Sequence, residues 1–328
     1  MIIGIDIAKE KFDVTLRDEG MRLRHRTFTN SASGFAELSR WLVEQGAGQV
    51  HACLEATNVY WEALAAYLHG ETHRVSVVGG LLGAARIHGY AKSQMRRNKT
   101  DKLDSEVIAD FCATHQPASW TPPTAHQQTL RSLERHRDDL LKTRTQQTNR
   151  RSTCSEPLVQ KSLDTLIHTL DTEIAQTEVE IDTVVQHQQA LKTQLSLITS
   201  IVSIGKKTAL KLMAELYDLA AYPSANAADA DAGLSPARHD SGHSVHRRHR
   251  LCKVGKAAVR SALYLPALNA IRHNPIVKKL AQRLEAKGKP KMVIIGAAMR
   301  KLLHLVYGVL KHQTPFDPAW GHSAPKPS

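Results

Sequence analysis

The stretch Ile2-Ile3-Gly4-Ile5-Asp6-Ile7-Ala8 decides how the first third of this chain is read. Its apolar residues predict a buried strand, and the two-residue period of a strand puts Asp6 on one face with Gly4 and Ala8. Small neighbours leave space beside the carboxylate. A buried lone carboxylate is costly unless it is paired or bound to a metal, so Asp6 is a candidate site residue. A nearby lysine, Lys9 or Lys11, would satisfy it equally well.

Outward from that strand, Lys11 to Arg17 and Arg22 to Thr29 read as two more strands, joined by links too short for anything but antiparallel neighbours. Ser33 to Gln45 is an amphipathic helix, Gln49 to Glu55 a strand, Val59 to Leu68 a helix, His73 to Val78 a strand, and Asp101 onward a helix. The order βββαβαβα predicts a mixed sheet flanked by helices. Glu55 ends its strand, where a side chain is delivered to the sheet edge. In Asn98-Lys99-Thr100-Asp101-Lys102-Leu103-Asp104 the two aspartates are three apart at a helix start, which places them on one face about 5 to 6 Å apart. They could hold a divalent metal, or they could simply complement the helix dipole.

Asp6 in Gly-Ile-Asp-Ile-Ala-Lys, Glu55 in Leu-Glu-Ala-Thr, and Asp101 with Asp104 in Asn-Lys-Thr-Asp-Lys-Leu-Asp-Ser-Glu resemble the four acidic residues of the DEDD transposases, the insertion sequence 110 family. The resemblance implies an α/β RNase H-like (RuvC-like) N-terminal domain, and the strand order read above is the order that fold needs. One departure is visible: Gly79-Gly80-Leu81 stands where Asn-Pro is expected, which concerns the shape of one loop. The chemistry such acids serve is two-metal phosphoryl transfer, with two Mg²⁺ about 3.5 to 4 Å apart on oxygen ligands. Without metal, crowded carboxylates repel one another and at least one pKa rises.

Residues 116 to 125 are proline-rich and read as a linker, followed by a polar, basic helix to about Arg151. Leu163, Ile167, Leu170, Ile174, Thr177, Ile181, Val184, Gln188, Leu191 and Leu195 then alternate spacings of three and four, the repeat of a coiled coil. That helix either folds back on its basic predecessor or pairs between subunits; the resemblance favours joining protomers. Ser-Ile-Val-Ser-Ile-Gly-Lys-Lys, with Gly205, Lys206 and Lys207, resembles a helix-hairpin-helix turn that presents backbone N–H groups to phosphates. Ser203 occupies the place of its first glycine. An ordinary helix turn is the alternative.

From Gly255 the chain reads as three helices, to about Arg272, from Pro275 to Lys287 and from Lys291 to Lys311. They are expected to pack into a small domain with a basic exposed side. The expected domains are thus 1–120 catalytic, 121–195 linker and coiled coil, 196–312 a mainly α-helical transposase domain, and 313–328 a proline-rich disordered tail.

Charge separates these regions. Between Arg238 and Lys301 sixteen Lys and Arg face two acids, Asp240 and Glu285, a net of +14 in a chain of net +13. So one-sided a block repels itself unless a polyanion neutralises it, and nucleic acid is the leading partner. Lys206, Lys207, Arg238, Arg247, Arg248, Arg250, Lys253 and Lys256 are the expected contacts. His243, His246, His249 and Cys252 recur every third residue, but without a thiolate pair they read as a basic loop rather than a zinc site. A serine in such a loop is ordinarily a turn residue, and Ser235 and Ser244 compete with Ser241. The family resemblance implies that Ser241, followed by glycine, is the nucleophile that joins covalently to DNA. It further implies a guide RNA from the element's flank, donor and target DNA, and a dimer or tetramer.

Four scattered cysteines argue against a disulfide framework and for a reducing compartment. No signal peptide or membrane span is expected, since the apolar segment Met292 to Leu310 carries Arg300, Lys301 and His304. The expected location is the bacterial cytoplasm, associated with the nucleoid. Two rivals remain at this stage: a junction-resolving or RNase H-type nuclease in which Ser241 is idle, and a non-catalytic nucleic-acid-binding scaffold.

Overall fold

The computed structural model describes residues 1–56, 58–78, 87, 89–92, 101–237, 240–241, 245–246, 250–252 and 254–319, and divides into two compact units, Met1–Pro122 and Pro123–Ser328. Gly79-Gly80-Leu81 lies outside the described residues.

The first unit is a mixed five-stranded sheet. Strands β1 (Ile2–Ile7), β2 (Lys11–Arg17), β3 (Leu23–Thr29), β4 (His51–Glu55) and β5 (Arg74–Val78) lie in the order β3-β2-β1-β4-β5. β1, β2 and β3 are antiparallel neighbours, whereas β4 runs parallel to β1 and β5 parallel to β4. Helices α1 (Ala32–Glu44) and α2 (Glu62–Gly70) supply the crossovers, and Ser31 caps α1 by accepting from the Gly34 N–H. The alternation of β1 and β2 sends Ile3, Ile5, Ile7, Phe12, Val14 and Leu16 into one core with Phe35, Leu38, Leu42, Leu64 and Leu68. On the other face, Cys53 and Val78 pack against Val107, Ile108, Phe111 and Cys112 of α3 (Asp101–His115).

Gly4 is what lets α3 lie against β1. A Cβ at Gly4 would stand 2.2 Å from both the Ala109 nitrogen and the Ser105 carbonyl oxygen. The space that the small residues of β1 leave on Asp6's face is therefore filled by helix backbone. A buried hydrogen bond, Thr15 Oγ1 to Ser105 Oγ at 2.7 Å, fixes the same contact from β2.

The second unit is mainly helical. α4 (Ala125–Thr153), opened by a capping box between Thr124 and Gln127, and α5 (Pro157–Gln186), opened by Pro157, form a long hairpin. Within the chain the heptad-patterned helix lies back on its predecessor: Leu163, Leu170, Ile174, Thr177 and Ile181 are buried, and Arg144–Asp171 (2.5 Å) and Arg151–Asp164 (2.7 Å) tie the two helices. The expected single helix is corrected at its end. α5 stops at Gln186, and α6 (Gln189–Thr199) is a separate element carrying Leu191 and Leu195, with Gln188 at its N-cap. The three-four spacing runs across the break because both helices bury their apolar side in one core.

After α6 come α7 (Lys206–Leu216), α8 (Ala225–Ala232), α9 (Ala257–His273), α10 (Pro275–Ala286) and α11 (Lys291–His312). α11 is long and apolar enough to cross a membrane, but more than half of its apolar window is buried against its own unit, as in a core helix. Beyond it, Phe316 is buried and its N–H donates to Ser200 Oγ at 2.8 Å. The tail expected from 313 thus begins with a packed stretch, because one aromatic ring finds a place in the core. The four cysteines are free thiols.

Candidate active site

Three elements bring the four predicted acids to one edge of the sheet. β1 and β4 are adjacent and parallel, so Asp6 and Glu55, each at or near a strand's C-terminal end, are delivered to the same edge. α3 brings Asp101 and Asp104 on its first turn. With Lys11, Asp13, Ile7 and Ala8 they line one cleft of 290 Å³.

The cleft is electrostatically strained. Burial first, and then the charges of Asp104, Glu55, Asp101 and Asp13, push the Asp6 carboxyl up to about 6. Asp6 faces Asp13 directly across the β1–β2 ladder, a like-charged pairing that disfavours the sheet unless something cationic is near. Lys11 is that cation: its Nζ lies 2.7 Å from Asp101 Oδ2 and 3.4 Å from Asp13 Oδ2. The lysine considered as a partner for Asp6 thus sits on its neighbours. Asp13 is nearly fully buried and also accepts from Thr27 Oγ1 at 2.6 Å, with His25 Nε2 at 3.1 Å.

Lys11 and Asp13 were missed as site residues in the sequence, although the signal was present. Alternation along Lys11-Phe12-Asp13 with a tight β1–β2 link puts both on Asp6's face. The donor set, carboxylate oxygens only, suits a hard divalent cation. Among the described residues no three His, Cys, Asp or Glu side chains already converge on a single metal position. The cleft therefore has the chemistry for a cation, with Lys11 as its present counter-charge.

The second unit holds the remaining predicted residues. Strands β6 (Pro236–Ala237) and β9 (Arg250–Leu251) pair antiparallel, as do β7 (Asp240–Ser241) and β8 (Val245–His246). Ser241 is thus in a short strand opposite Val245, where the sequence suggested only a polar loop. Its side chain and that of Arg250 lie outside the described residues, as do Arg238, Arg247, Arg248, Lys253, His243 and His249.

Close backbone contacts flank this segment on its C-terminal side. Gly255, at φ +140°, lies so close that a Cβ would meet the Asp231 carbonyl oxygen at 2.3 Å. Arg260 Nη1 donates to the carbonyls of Ala232 (3.0 Å) and Gly255 (3.1 Å). Lys256, predicted to contact nucleic acid, is engaged here with Asp231 Oδ2 at 2.9 Å and donates to the Glu215 carbonyl at 2.8 Å.

Lys206 and Lys207 stand at the start of α7 after Gly205, each in an exposed ion pair with α5. Lys206 reaches Asp182 at 2.6 Å and Lys207 reaches Glu178 at 2.7 Å. Ser203 has φ +83°, a conformation that favours glycine, and its buried hydroxyl finds no hydrogen-bond partner among the described residues. That strain accounts for the glycine the motif ordinarily has there.

An acidic cleft at the edge of a mixed sheet, joined to a basic helical unit, defines a class of enzymes that act on nucleic-acid phosphates, and comparison with known proteins narrows it. Residues 3–154 match the model of DEDD transposases of the IS110 type, and residues 195–282 match that of the transposase IS116/IS110/IS902 family. The "Pilin gene-inverting protein" of Moraxella lacunata is 36% identical over 322 residues, covering 96% of this chain and 97% of the relative, and that of Moraxella bovis gives the same figures. An insertion element IS110 protein of Streptomyces coelicolor is 23% identical over 159 residues, 45% of this chain and 39% of that protein. The chain belongs to the IS110 family of transposases, and it is a DNA recombinase.

Proposed function

We propose that this transposase exchanges DNA strands by Mg²⁺-dependent phosphoryl transfer, with Asp6, Glu55, Asp101 and Asp104 as the metal-holding acids of an RNase H-like (RuvC-like) domain and Ser241 as the nucleophile. The single observation that carries the reading is the meeting of these four carboxylates, from β1, β4 and α3, in one cleft of a chain that belongs to this family. Bound Mg²⁺ would supply charge neutralisation at the scissile phosphate and lower the pKa of the attacking group. The four carboxylates hold that cation and accept protons in a cleft whose own repulsion favours occupancy.

In this reading the Ser241 Oγ forms a bond to a DNA phosphorus while the bond from that phosphorus to a sugar oxygen breaks. The serine proton departs and the sugar oxygen gains one. A hydroxyl of a second DNA strand then displaces the serine and restores it. The phosphodiester count is unchanged, which suits excision, insertion or inversion without an external energy source. The Moraxella relatives are named for inverting a pilin gene, and inversion is one of the outcomes that the exchange proposed for this chain would allow. The basic block, with Lys206, Lys207, Arg238, Arg247, Arg248, Arg250, Lys253 and Lys256, would hold the phosphates. An element-encoded RNA would pair with donor and target DNA, and a dimer or tetramer would bring the serine of one protomer to the acids of another.

The test is recombination of a plasmid carrying the element's native flanks, with any co-purifying RNA sequenced. Asp101→Ala and Ser241→Ala are each expected to lower product by at least about a thousandfold, and Ser241→Ala alone should abolish a protein–DNA adduct that resists denaturation. Unchanged cleavage by Ser241→Ala would establish the nuclease reading instead. Unchanged recombination by Asp101→Ala would leave a scaffold, and heterogeneous RNA would remove the guide.

A further inference from the structure

The residues expected in the acidic cleft are carboxylates, yet the structure puts an ammonium group among them. Lys11 lines the cleft together with the four predicted acids and Asp13. Its Nζ donates to Asp101 Oδ2 at 2.7 Å and stands 3.4 Å from Asp13 Oδ2. An ammonium has three N–H groups, and this side chain is half exposed, so a donor is left for a group that enters the cleft. Lys9, two residues earlier, lies instead beside Glu10 at 3.9 Å and is mostly exposed.

Rigid surroundings fix where that ammonium stands. The backbone of Lys11 closes the β1–β2 link, where the Ala8 N–H donates to the Lys11 carbonyl at 2.9 Å. Asp13 is nearly fully buried; its Oδ1 accepts from Thr27 Oγ1 at 2.6 Å and lies 3.1 Å from His25 Nε2. Two side chains of β3 thus pin one carboxylate oxygen, while the other, Oδ2, is the one nearest Lys11. The two carboxylates beside the lysine therefore differ. Asp101 is more than half exposed, on the first turn of α3, and an entering cation can take it. Asp13 is held in place.

Fold stability does not account for this arrangement. Asp13 faces Asp6 across the β1–β2 ladder, and like charges directly opposite destabilise a sheet. A nearly buried carboxylate is costly, and a half-exposed lysine offsets little of that cost. Asparagine at this position would accept from Thr27 equally well without the charge. What the carboxylate adds is a fixed anchor for an ammonium inside the cleft. In phosphoryl transfer, charge is spread over the oxygens that neither attack nor leave, and a donor already fixed beside them acts most strongly in the transition state.

We propose that Lys11 is a catalytic residue that donates a hydrogen bond to a non-bridging oxygen of the DNA phosphodiester undergoing exchange, and that Asp13, pinned by Thr27 and His25, is its positioning residue. The inference rests on the reading that this cleft performs strand exchange on DNA. No proton is transferred: the lysine stays charged, and once a cation has taken Asp101 its ammonium remains on Asp13 and turns to the phosphate.

The test uses the full-length protein and a DNA duplex carrying the element's native flanks. Calorimetry first gives the Mg²⁺ affinity of each protein alone, so that all variants are compared at saturating Mg²⁺ and saturating DNA. Lys11→Gln is expected to bind Mg²⁺ no more weakly than wild type and yet to lower kcat about a hundredfold, the loss typical of one transition-state donor. Lys11→Arg keeps the charge and should recover part of that loss. Asp13→Asn should lower kcat about tenfold, as the loss of a supporting residue does. The double variant should be no slower than Lys11→Gln alone, because Asp13 acts through the lysine. Lys9→Gln removes a neighbouring charge and should leave kcat unchanged. With Ca²⁺ in place of Mg²⁺, binding of the duplex should protect Lys11 from acetylation, read by mass spectrometry.

A kcat for Lys11→Gln close to that of wild type, a loss that more Mg²⁺ restores, or an equal fall in Lys9→Gln overturns the role of Lys11. Equal acetylation of Lys11 in the bound complex overturns its contact with DNA. Additive losses in the double variant overturn the role of Asp13. Asp101→Ala in the same assay separates the two readings: if it loses the reaction while Lys11→Gln keeps it, only this inference fails, and if it keeps the reaction, the reading of the acids fails as well. A wild type that does not bind the duplex overturns both. Circular dichroism checks that the variants remain folded, and if Asp13→Asn does not fold, the half-exposed Lys11 variants still decide.

Discussion

Lys11 holds the acidic cleft in its present charge state. Its ion pair with Asp101 is largely exposed on both sides, 49% and 58%, and such pairs are easily exchanged. A divalent cation entering among Asp6, Glu55, Asp101 and Asp104 would meet Lys11 as a competitor for Asp101. Lys11→Ala is therefore expected to raise the apparent Mg²⁺ affinity severalfold, measured by calorimetry on the protein without nucleic acid. An affinity that is unchanged or weaker would mean that Lys11 does not compete for the site. The same measurement separates metal binding from recombination, since Lys11 also lies where a phosphate could reach it.

At the scale of elements, the cleft depends on how closely α3 lies on β1. Gly4 sits under Ser105 and Ala109, and the atoms that a Cβ would strike are backbone atoms that cannot turn aside. Gly4→Ala is predicted to destabilise the protein by about 3 kcal/mol or more in denaturant unfolding, at the upper end of overpacking costs. Gly48→Ala, where a Cβ meets nothing within 4 Å, is the control. A near-neutral Gly4→Ala would show that α3 moves freely and that Asp101 and Asp104 are loosely placed.

The α4–α7 contact carries a second element-scale prediction. Glu134 of α4 is fully buried and bonds to Arg137 at 2.9 Å, and burial outweighs the pull of Arg137 and Lys211 to push its carboxyl up to about 7. A raised folded-state pKa means that the folded chain binds more protons than the unfolded chain between about pH 4.5 and 7, so this group's contribution falls as pH rises through that window. Glu134→Gln should lack that slope, and the stability difference between wild type and variant should change by up to about 3 kcal/mol from pH 4.5 to 7.5. Parallel stability–pH curves for the two proteins would refute it.

At the scale of the molecule, one unit concentrates carboxylates at a sheet edge and the other carries the cationic excess. Much of this was legible in the residues. The strand-helix order of the first unit follows from two-residue and 3.6-residue periods with short links, and Asp6 and Glu55 stood at addresses that neither a core nor a surface would choose, whereas Asp101 and Asp104 at a helix start were open to a plain dipole-complementing role. The heptad-like spacing was legible too, but it could not say that the helix breaks at His187 and Gln188. Periodicity records which side is buried and not what buries it. Likewise +14 in the C-terminal block was countable, while its division into paired and unpaired cations was not.

The sequence by itself determined the layers, the four acids and the sign of each region's charge, because these follow from local spacing and composition. Only the tertiary structure decided that Lys11 neutralises Asp101, that Lys206, Lys207 and Lys256 are engaged within the protein, and that α10 is left with cations facing solvent. Each of these is a pairing between residues far apart in the chain, and the partner of a charged side chain is set by which elements pack together.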